Sequence, residues 1–539
     1  MTQIEFGVNN FRKYINLNPL RLGDITYLVG ENNSGKSTFV KGLLLLLNNL
    51  ANPSNALTIG AHAFDFNNTK NRRYGHLNLP TFYSALNRNS DDPEITFSCR
   101  LTHAQNNEFM DYTIETTVVS GYELNSSFGF IKKMQIIDNV NCRIYTYILN
   151  EQSKISCRYK IENFAPAETY INNLRQIQSA VNLKLDKHSD KCNYLKERYI
   201  DEYSQTAEVI EKEKKSLQCL SQGLDNAIKI LTGECCPTFK NSYKTEYQTL
   251  PAQIFAEISS PGNEVDISND LTGIDLNKEI SNLAHNLDAC IKPYSSIEYL
   301  YAHEAEQRFF YNINDHNDET AQMIKEYAEI FGGAWDEIYD EIVGSWLSHF
   351  DLTDKYIITE ATEEGAFKVF LSKERPEWDI KNKCYTNRQQ WRPLATYGTG
   401  IIRIVSLVMN LANLAFRYVI GNTDDIIPTT IVIEEPEMNL HPKYQSRLAD
   451  LFRELNERYG FKFIIETHSE YIIRKTQVAV KQARYQSNEA MNALNPYKVL
   501  YFPQDGDPYE MQYRTDGRFS NSFGPGFYDE ANNLIFEVL

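Results

Sequence analysis

The sequence predicts an α/β protein with a mixed sheet, an antiparallel lobe and a large helical insertion. Three observations carry that prediction. Ile25–Val29 is an apolar strand-like run that passes through a glycine-bounded turn into a leucine-rich helix starting near Lys36. Two further short apolar runs, Ile431–Ile433 and Phe461–Ile465, have the β-branched and aromatic content of buried parallel strands, and each ends in acidic residues. Between the first run and these two, Glu94 to Leu149 alternates apolar and polar residues (ITFSCRL, DYTIETTVV, IYTYIL), whereas Glu168 to Leu231 is almost free of glycine and proline.

The first element supplies the clearest chemistry. Gly30-Glu31-Asn32-Asn33-Ser34-Gly35-Lys36-Ser37-Thr38 is a G-x-x-x-x-G-K-S loop between a strand and a helix, the context that this motif requires. Gly30 and Gly35 permit a tight turn whose N–H groups can face phosphate oxygens, and the helix start adds partial positive charge. Lys36 is expected to reach the β- and γ-phosphates, and the Ser37 hydroxyl to ligate Mg²⁺.

The second strand ends in Glu434-Glu435-Pro436-Glu437, followed by Met-Asn-Leu-His441-Pro442. Two carboxylates at the tip of a buried strand are costly to desolvate unless a cation faces them. Beside a phosphate loop, Mg²⁺–nucleotide is that cation. Glu434 is expected near the metal, behind its water, and Glu435 is expected to polarise the attacking water. The third strand leads into Glu466-Thr467-His468-Ser469, and parallel sheets gather their ligands at the carboxyl ends of strands. His468 is therefore positioned to sense the γ-phosphate. A fourth element, Thr396-Tyr397-Gly398-Thr399-Gly400-Ile-Ile-Arg403, places glycines before an apolar helix and again suggests donors aimed at an anion.

Taken together, these motifs resemble the ATPase head of the ABC superfamily, in the branch shared by SMC-type and OLD-type proteins. The order is Walker A, signature, Walker B with D-loop, and switch histidine, over roughly residues 1–60 and 390–539. The resemblance implies ATP and Mg²⁺ as cofactors, with Ser37 and Glu434 at the metal and Glu435 and His468 at the reacting phosphate. It also implies that Gly398, Thr399, Gly400 and Arg403 close on the ATP of a second head, in a face-to-face homodimer or higher oligomer. On that geometry Gly400→Asp is expected to put a carboxylate against the triphosphate. Two residues depart from the family pattern: Glu434 stands where Asp is commoner, and Gly398 where Ser is usual.

Three regions follow: 1–165, an N-terminal ATPase lobe; 166–385, a mainly helical insertion; and 386–539, a C-terminal ATPase lobe. The insertion keeps no long heptad, which predicts a compact hairpin or short coiled coil rather than an extended one. Trp335, Ile338, Ile342 and Trp346 recur at helical spacing and read as core. Lys184, Lys187, Lys191 and Arg198 share one helix face. That face and the Lys70, Arg72, Arg73 cluster read first as solvated surface, and second as docking surface for nucleic acid or an acidic partner; the helical region also includes the charged stretch Glu211–Lys215. After His468 the chain reads as one helix, a strand near Val499–Phe502 and a Gly/Phe-rich tail, with no room for the carboxylate-rich nuclease of OLD-type proteins. This layout resembles the PtuA ATPases of Septu antiphage systems and the related ATPases of certain retrons. The partner implied is a separate HNH nuclease of the PtuB kind, joined in retrons by a reverse transcriptase and its msDNA. Two other readings stay open: an SMC-type DNA-repair ATPase, and a nucleotide-gated scaffold with little hydrolysis.

Composition bounds the rest. The chain has 539 residues, roughly three or four domain-equivalents, and its 42% apolar and 23% charged content excludes a largely disordered state. A net charge of −17 argues against coating nucleic acid through the overall field. The nine cysteines are scattered without a CxxC pair, which fits a reducing cytosol. No signal peptide is expected, and no membrane span either, because the longest apolar stretch, Ile401–Ile420, carries Arg403, Arg417, Asn410 and Asn413.

Overall fold

The computed structural model describes residues 3–53, 62–66, 79, 81–105, 107–121, 127–149, 157–198, 203–235, 248–260, 263–268, 275–300, 308, 310–312, 314–315, 321–322, 324–325, 336–353, 355–362, 366–379, 384–420, 430–525 and 527–528. At its centre is a six-stranded sheet in the order β11-β16-β17-β3-β18-β19. Its strands are β3 (Ile25–Gly30), β11 (Glu298–Leu300), β16 (Thr430–Glu434), β17 (Lys462–Glu466), β18 (Tyr497–Phe502) and β19 (Tyr509–Glu510). All pairings are parallel except the last, so the phosphate-loop strand lies between β17 and β18, and the Glu-Glu strand lies one place beyond β17.

Side chains alternate across this sheet, and each face seeds its own core. Leu28, Val432, Ile464 and Leu500 face the buried leucine run of α1 (Lys36–Ala51). Tyr27, Val29, Ile433 and Ile465 face the opposite way. That side is covered by α7 (Asp336–His349), α8 (Thr399–Ile420), α9 (Pro442–Tyr459) and α10 (Glu470–Ala483). A short α11 (Asn488–Leu494) leads into β18. Within α8, Thr399–Arg417 is long and apolar enough to cross a membrane by length and composition, a test that a buried core helix also passes. Its residues Ile402, Val405, Val408 and Leu411 are nevertheless buried in this core.

On its other flank α1 packs against a nine-stranded sheet, the antiparallel lobe expected from alternation. Its strands are β1 (Gln3–Phe11), β2 (Tyr14–Arg21), β4 (Ala63–Asp65), β5 (Glu94–Gln105), β6 (Glu108–Ser120), β7 (Phe128–Asp138), β8 (Arg143–Leu149), β9 (Cys157–Asn163) and β10 (Glu264–Ile267). The order is β10-β9-β8-β7-β6-β5-β1-β2, with β4 on β7. The short α2 (Phe82–Ala85) begins with a capping box from Thr81.

Residues 166–385 prove more mixed than the helical insertion expected. Helices α3 (Glu168–Arg198) and α4 (Tyr203–Leu231) form a hairpin whose packed stripe includes Leu174, Val181, Leu217, Leu220 and Leu224. The chain then returns to the lobes: α5 (Leu250–Ala256) and α6 (Leu276–Ile291) join the α1 core, and β10 and β11 extend the two large sheets. A third sheet follows, from β12 (Tyr311–Asn312), β13 (Lys355–Thr362), β14 (Ala366–Asp379) and β15 (Cys384–Pro393). Strands that interleave charged residues without a clear period carry little sequence signal, which hides this sheet from a pattern reading. Ile342 and Trp346 are core, as their spacing predicts. Trp335, Lys70, Arg72, Arg73 and the side chains of Ile338, Lys187, Lys191, Arg198 and Glu211–Glu213 lie outside what the structure describes.

Two half-buried polar contacts tie the hairpin to the lobes. Asp111 on β6 takes a bidentate pair from Arg100 (2.9 and 2.8 Å), and also accepts from Tyr170 of α3 at 2.8 Å and from Asn139 at 3.0 Å. Lys184, from the basic face, donates to Asp24 at the foot of β3 at 3.2 Å. We predict that Asp111→Ala costs about 1–3 kcal/mol, because it removes the acceptor shared by Arg100, Tyr170 and Asn139 while Arg100 keeps Glu5 at 3.5 Å, and that it loosens the start of α3. Denaturant melts and hydrogen exchange of α3 measure both effects.

Candidate functional site

Three neighbouring strands end at one edge, and their residues stand level. Glu434 of β16 is the register partner of Glu466 of β17, which in turn aligns with Leu28 of β3. Two residues beyond Leu28 the chain turns into the phosphate loop. Gly30, Asn33 and Gly35 all have φ in the left-handed region, at 149°, 62° and 112°. A side chain at Gly35 would meet the Tyr14 hydroxyl at 2.5 Å, and one at Gly30 would collide with the Phe502 carbonyl oxygen. The glycines are therefore set by close approach as well as by φ. Asn32 and Asn33 are exposed, Ser34 is buried, and Ser37 and Thr38 are half-buried at the start of α1.

Cations gather under this loop. Lys36 is buried and donates to the carbonyls of Gly30 (3.0 Å) and Glu31 (2.8 Å). Burial lowers its pKa, against the pull of Glu466, Glu435 and Glu437. A second lysine, which the motif reading missed, stands beside it. Lys13, in the turn between β1 and β2, donates to the carbonyls of Ser34 (2.9 Å) and Gln504 (2.9 Å). Its only sequence signal is a basic pair, Arg12-Lys13, between two strand-like runs.

The acids lie opposite. Glu434 accepts from the Tyr299 hydroxyl in the middle of β11. Glu435 has φ +40° and its N–H donates to the Glu466 carbonyl at 2.8 Å, so the chain kinks at the strand tip. Arg403, expected at an ATP-facing signature, braces that kink by donating to the carbonyls of Glu435 (2.7 Å) and Glu434 (3.3 Å). The Glu435 carboxylate is 3.7 Å from Nε2 of His468. Burial and the charge of Lys36 push the His468 pKa below the ordinary imidazole value, and Glu435 opposes them. The ring is therefore neutral at neutral pH. Glu437 holds His468 from behind, accepting its backbone N–H at 2.6 Å.

Glu466 closes β17 directly before Thr467 and His468. It is 5% exposed, and one of its oxygens accepts from the Ser37 hydroxyl at 2.7 Å. Burial lifts its pKa to about 7. The signal that marks it is the one that marks Glu434: a carboxylate closing an otherwise apolar strand.

The glycines before α8 divide into two kinds. Gly398 is exposed and a side chain there would touch nothing. Gly400 lies against the turn after Glu437, where a side chain would collide with the Asn439 carbonyl oxygen and crowd Leu440. A substitution at Gly400 thus acts first on the packing of its own chain, which the sequence argument for Gly400→Asp did not foresee. Thr399, between them, begins α8.

With the phosphate loop, acidic strand tips and histidine gathered at one edge of a parallel sheet, the class of protein is defined. The chain belongs to the AAA ATPase domain family, whose match spans residues 1–473. Nucleotide binding follows from that membership. A search among curated proteins finds no match. Among solved structures the chain is similar to the Smc head domain with an extended coiled coil, bound to the C-terminal domain of ScpA, from Pyrococcus furiosus, at 9% identity, 100% of both chains and TM-score 0.34. It is also similar to the SMC head domain from Thermotoga maritima, at 9% identity over 95% of this chain and 100% of that one, with TM-score 0.32. A third similarity is to an SmcHead bound to the C-winged helix domain of ScpA, at 10% identity, 94% and 97% coverage and TM-score 0.30.

Two outcomes test this packing. Gly400→Ala is expected to cost about 1–3 kcal/mol by overpacking, whereas Gly398→Ala leaves the melting temperature unchanged. Glu437→Ala removes the acceptor of the His468 N–H, and is expected to cost a further 1–3 kcal/mol, roughly, on the same measurement.

Proposed function

We propose that this chain binds and hydrolyses ATP, and that it uses the cycle to control a nuclease carried on a separate chain. The observation that carries the hydrolytic part is the meeting of Glu435 and neutral His468, 3.7 Å apart, on the side of the phosphate loop that Lys36 makes electropositive. Glu435 accepts the proton of the attacking water, and His468 donates a hydrogen bond toward the γ-phosphate. Lys36 exchanges its two carbonyl partners for phosphate oxygens.

The donors available fit a nucleotide and its metal. Ser34 Oγ in the loop and Glu466 Oε2 at the strand tip are buried without hydrogen-bond partners, one suited to a phosphate oxygen and the other to a cation. Ser37 and the strand-tip acids would hold Mg²⁺, which when bound neutralises phosphate charge. The signature role falls to Gly398 and Thr399 at the exposed start of α8, facing a second copy of the chain in a head-to-head pair. Arg403 supports that role from behind the kinked strand tip. The partner part of the proposal rests on the resemblance to Septu and retron ATPases: a PtuB-like HNH nuclease, with reverse transcriptase and msDNA in the retron setting. A cytosolic setting is supported by the free cysteines Cys99, Cys142, Cys157, Cys219, Cys235 and Cys290.

Two substitutions test the ATPase reading. Glu435→Gln keeps shape and loses charge, so ATP binding is expected to persist while turnover falls at least a hundredfold, as measured by phosphate release. Lys36→Ala removes a charge-assisted contact and is expected to weaken ATP binding roughly ten- to hundred-fold by equilibrium titration. Wild-type turnover in Glu435→Gln would overturn the assignment of the base. The partner reading is tested by co-expression with a nuclease gene adjacent to this one. DNA cleavage that depends on both chains and changes with Glu435→Gln supports it, and cleavage indifferent to this chain refutes it.

A further inference from the structure

A P-loop serine that binds Mg²⁺ needs an acid beside it, and the motif points to Glu434 for that task. The contacts point elsewhere. The Ser37 hydroxyl donates to Glu466, at 2.7 Å, while Glu434 accepts from Tyr299 at the far strand β11. The strand order explains the difference, because β17 lies between β16 and β3 and its tip is the one adjoining the phosphate loop.

Glu466 also has an unmet need. Its Oε2 is buried and makes no hydrogen bond, although a desolvated carboxylate oxygen left alone is strongly unfavourable. In the loop, Lys36 attracts Glu466 through charge but directs two of its N–H donors to the carbonyls of Gly30 and Glu31. A hard divalent cation satisfies such an oxygen, and Mg²⁺ on a nucleotide is characteristically held by one or two carboxylates together with phosphates and water.

We propose that Glu466 is a carboxylate ligand of the Mg²⁺ of Mg–ATP, beside Ser37, and that Glu434 acts from behind it. The proposal rests on the ATPase reading above and assigns its metal site to a strand outside the Walker B motif. Glu466 thereby has two tasks in succession: it orients the Ser37 hydroxyl before the metal arrives, and it shares the cation with that hydroxyl afterwards.

The test uses the full-length chain with Mn²⁺ as the probe and a non-hydrolysable ATP analogue. Mn²⁺ affinity for the chain–analogue complex is read by electron paramagnetic resonance, and metal-free analogue binding is read separately by equilibrium dialysis. Glu466→Gln preserves size and can still accept from Ser37. It is expected to weaken Mn²⁺ binding at least tenfold while metal-free analogue binding holds or tightens. Glu466→Asp keeps the charge and should fall between the two, and Glu434→Gln should lose less than Glu466→Gln. Wild-type Mn²⁺ affinity in Glu466→Gln, with loss in Glu434→Gln, returns the metal to Glu434 and overturns the proposal. Loss of metal-free analogue binding in Glu466→Gln also overturns it, since the carboxylate would then shape the loop and not the metal. If the wild-type chain binds no analogue at all, the ATPase reading itself falls, an outcome distinct from both.

Discussion

Negative charge concentrated at the ends of parallel strands is the constraint around which this protein is organised. Glu434, Glu435, Glu437 and Glu466 converge where β16 and β17 stop, and their mutual repulsion and desolvation must be met locally. Each is met differently. Tyr299 donates to Glu434, His468 sits beside Glu435, the His468 N–H satisfies one oxygen of Glu437, and Ser37 satisfies one oxygen of Glu466. Arg403 contributes through the backbone, binding the carbonyls where the strand kinks. What remains unmet is a pair of inward-facing oxygens, Oε2 of Glu437 and Oε2 of Glu466, so the site is assembled with a standing attraction for cations.

The strand-and-loop pairs were legible in the sequence because each combines a short apolar run with a chemically unusual ending. Gly30–Thr38, Glu434-Glu435 and His468 all lie at the carboxyl ends of the parallel strands of the central sheet. The antiparallel lobe was legible for the same reason, since β5 to β8 alternate strictly enough to mark their faces. Contacts that depend on tertiary approach were not. Nothing adjacent in sequence says that Arg403 turns toward carbonyl oxygens, that Gly400 abuts the Asn439 carbonyl, or that Tyr299 reaches Glu434. The third sheet escaped because its strands interleave charged residues without a clear period, as in Lys373-Glu374-Arg375 of β14.

The helical hairpin has a particular relation to this machinery. Its root is tied to the nine-stranded sheet through Tyr170 and Asp111, and further along α3 Lys184 reaches Asp24, which opens the strand ending in the phosphate loop. Lys462 at the start of β17 approaches the same carboxylate at 3.9 Å. One acid thus joins α3 to the amino ends of the two central strands, whose carboxyl ends carry the loop and Glu466. A displacement of the hairpin would press on β3 and β17 together, as a rigid unit rather than on one residue.

The order of strands in the central sheet has a consequence for how the protein is made. Ile25 of β3 pairs with Phe463 on one side and with Tyr497 on the other. Synthesis proceeds from the amino end, so β3 leaves the ribosome long before either neighbour exists. During that interval the nine-stranded lobe can close on itself, while β3 has both hydrogen-bonding edges bare and the apolar run of α1 has one flank uncovered. The phosphate loop therefore lacks its flanking strands for most of synthesis. It is completed only when β17 and β18 arrive, a joining over very large sequence separation that is slow and prone to mispairing. Nascent chains paused before β17 should thus be clients of chaperones that hold exposed strands, and an inability to bind nucleotide should mark them as unfinished.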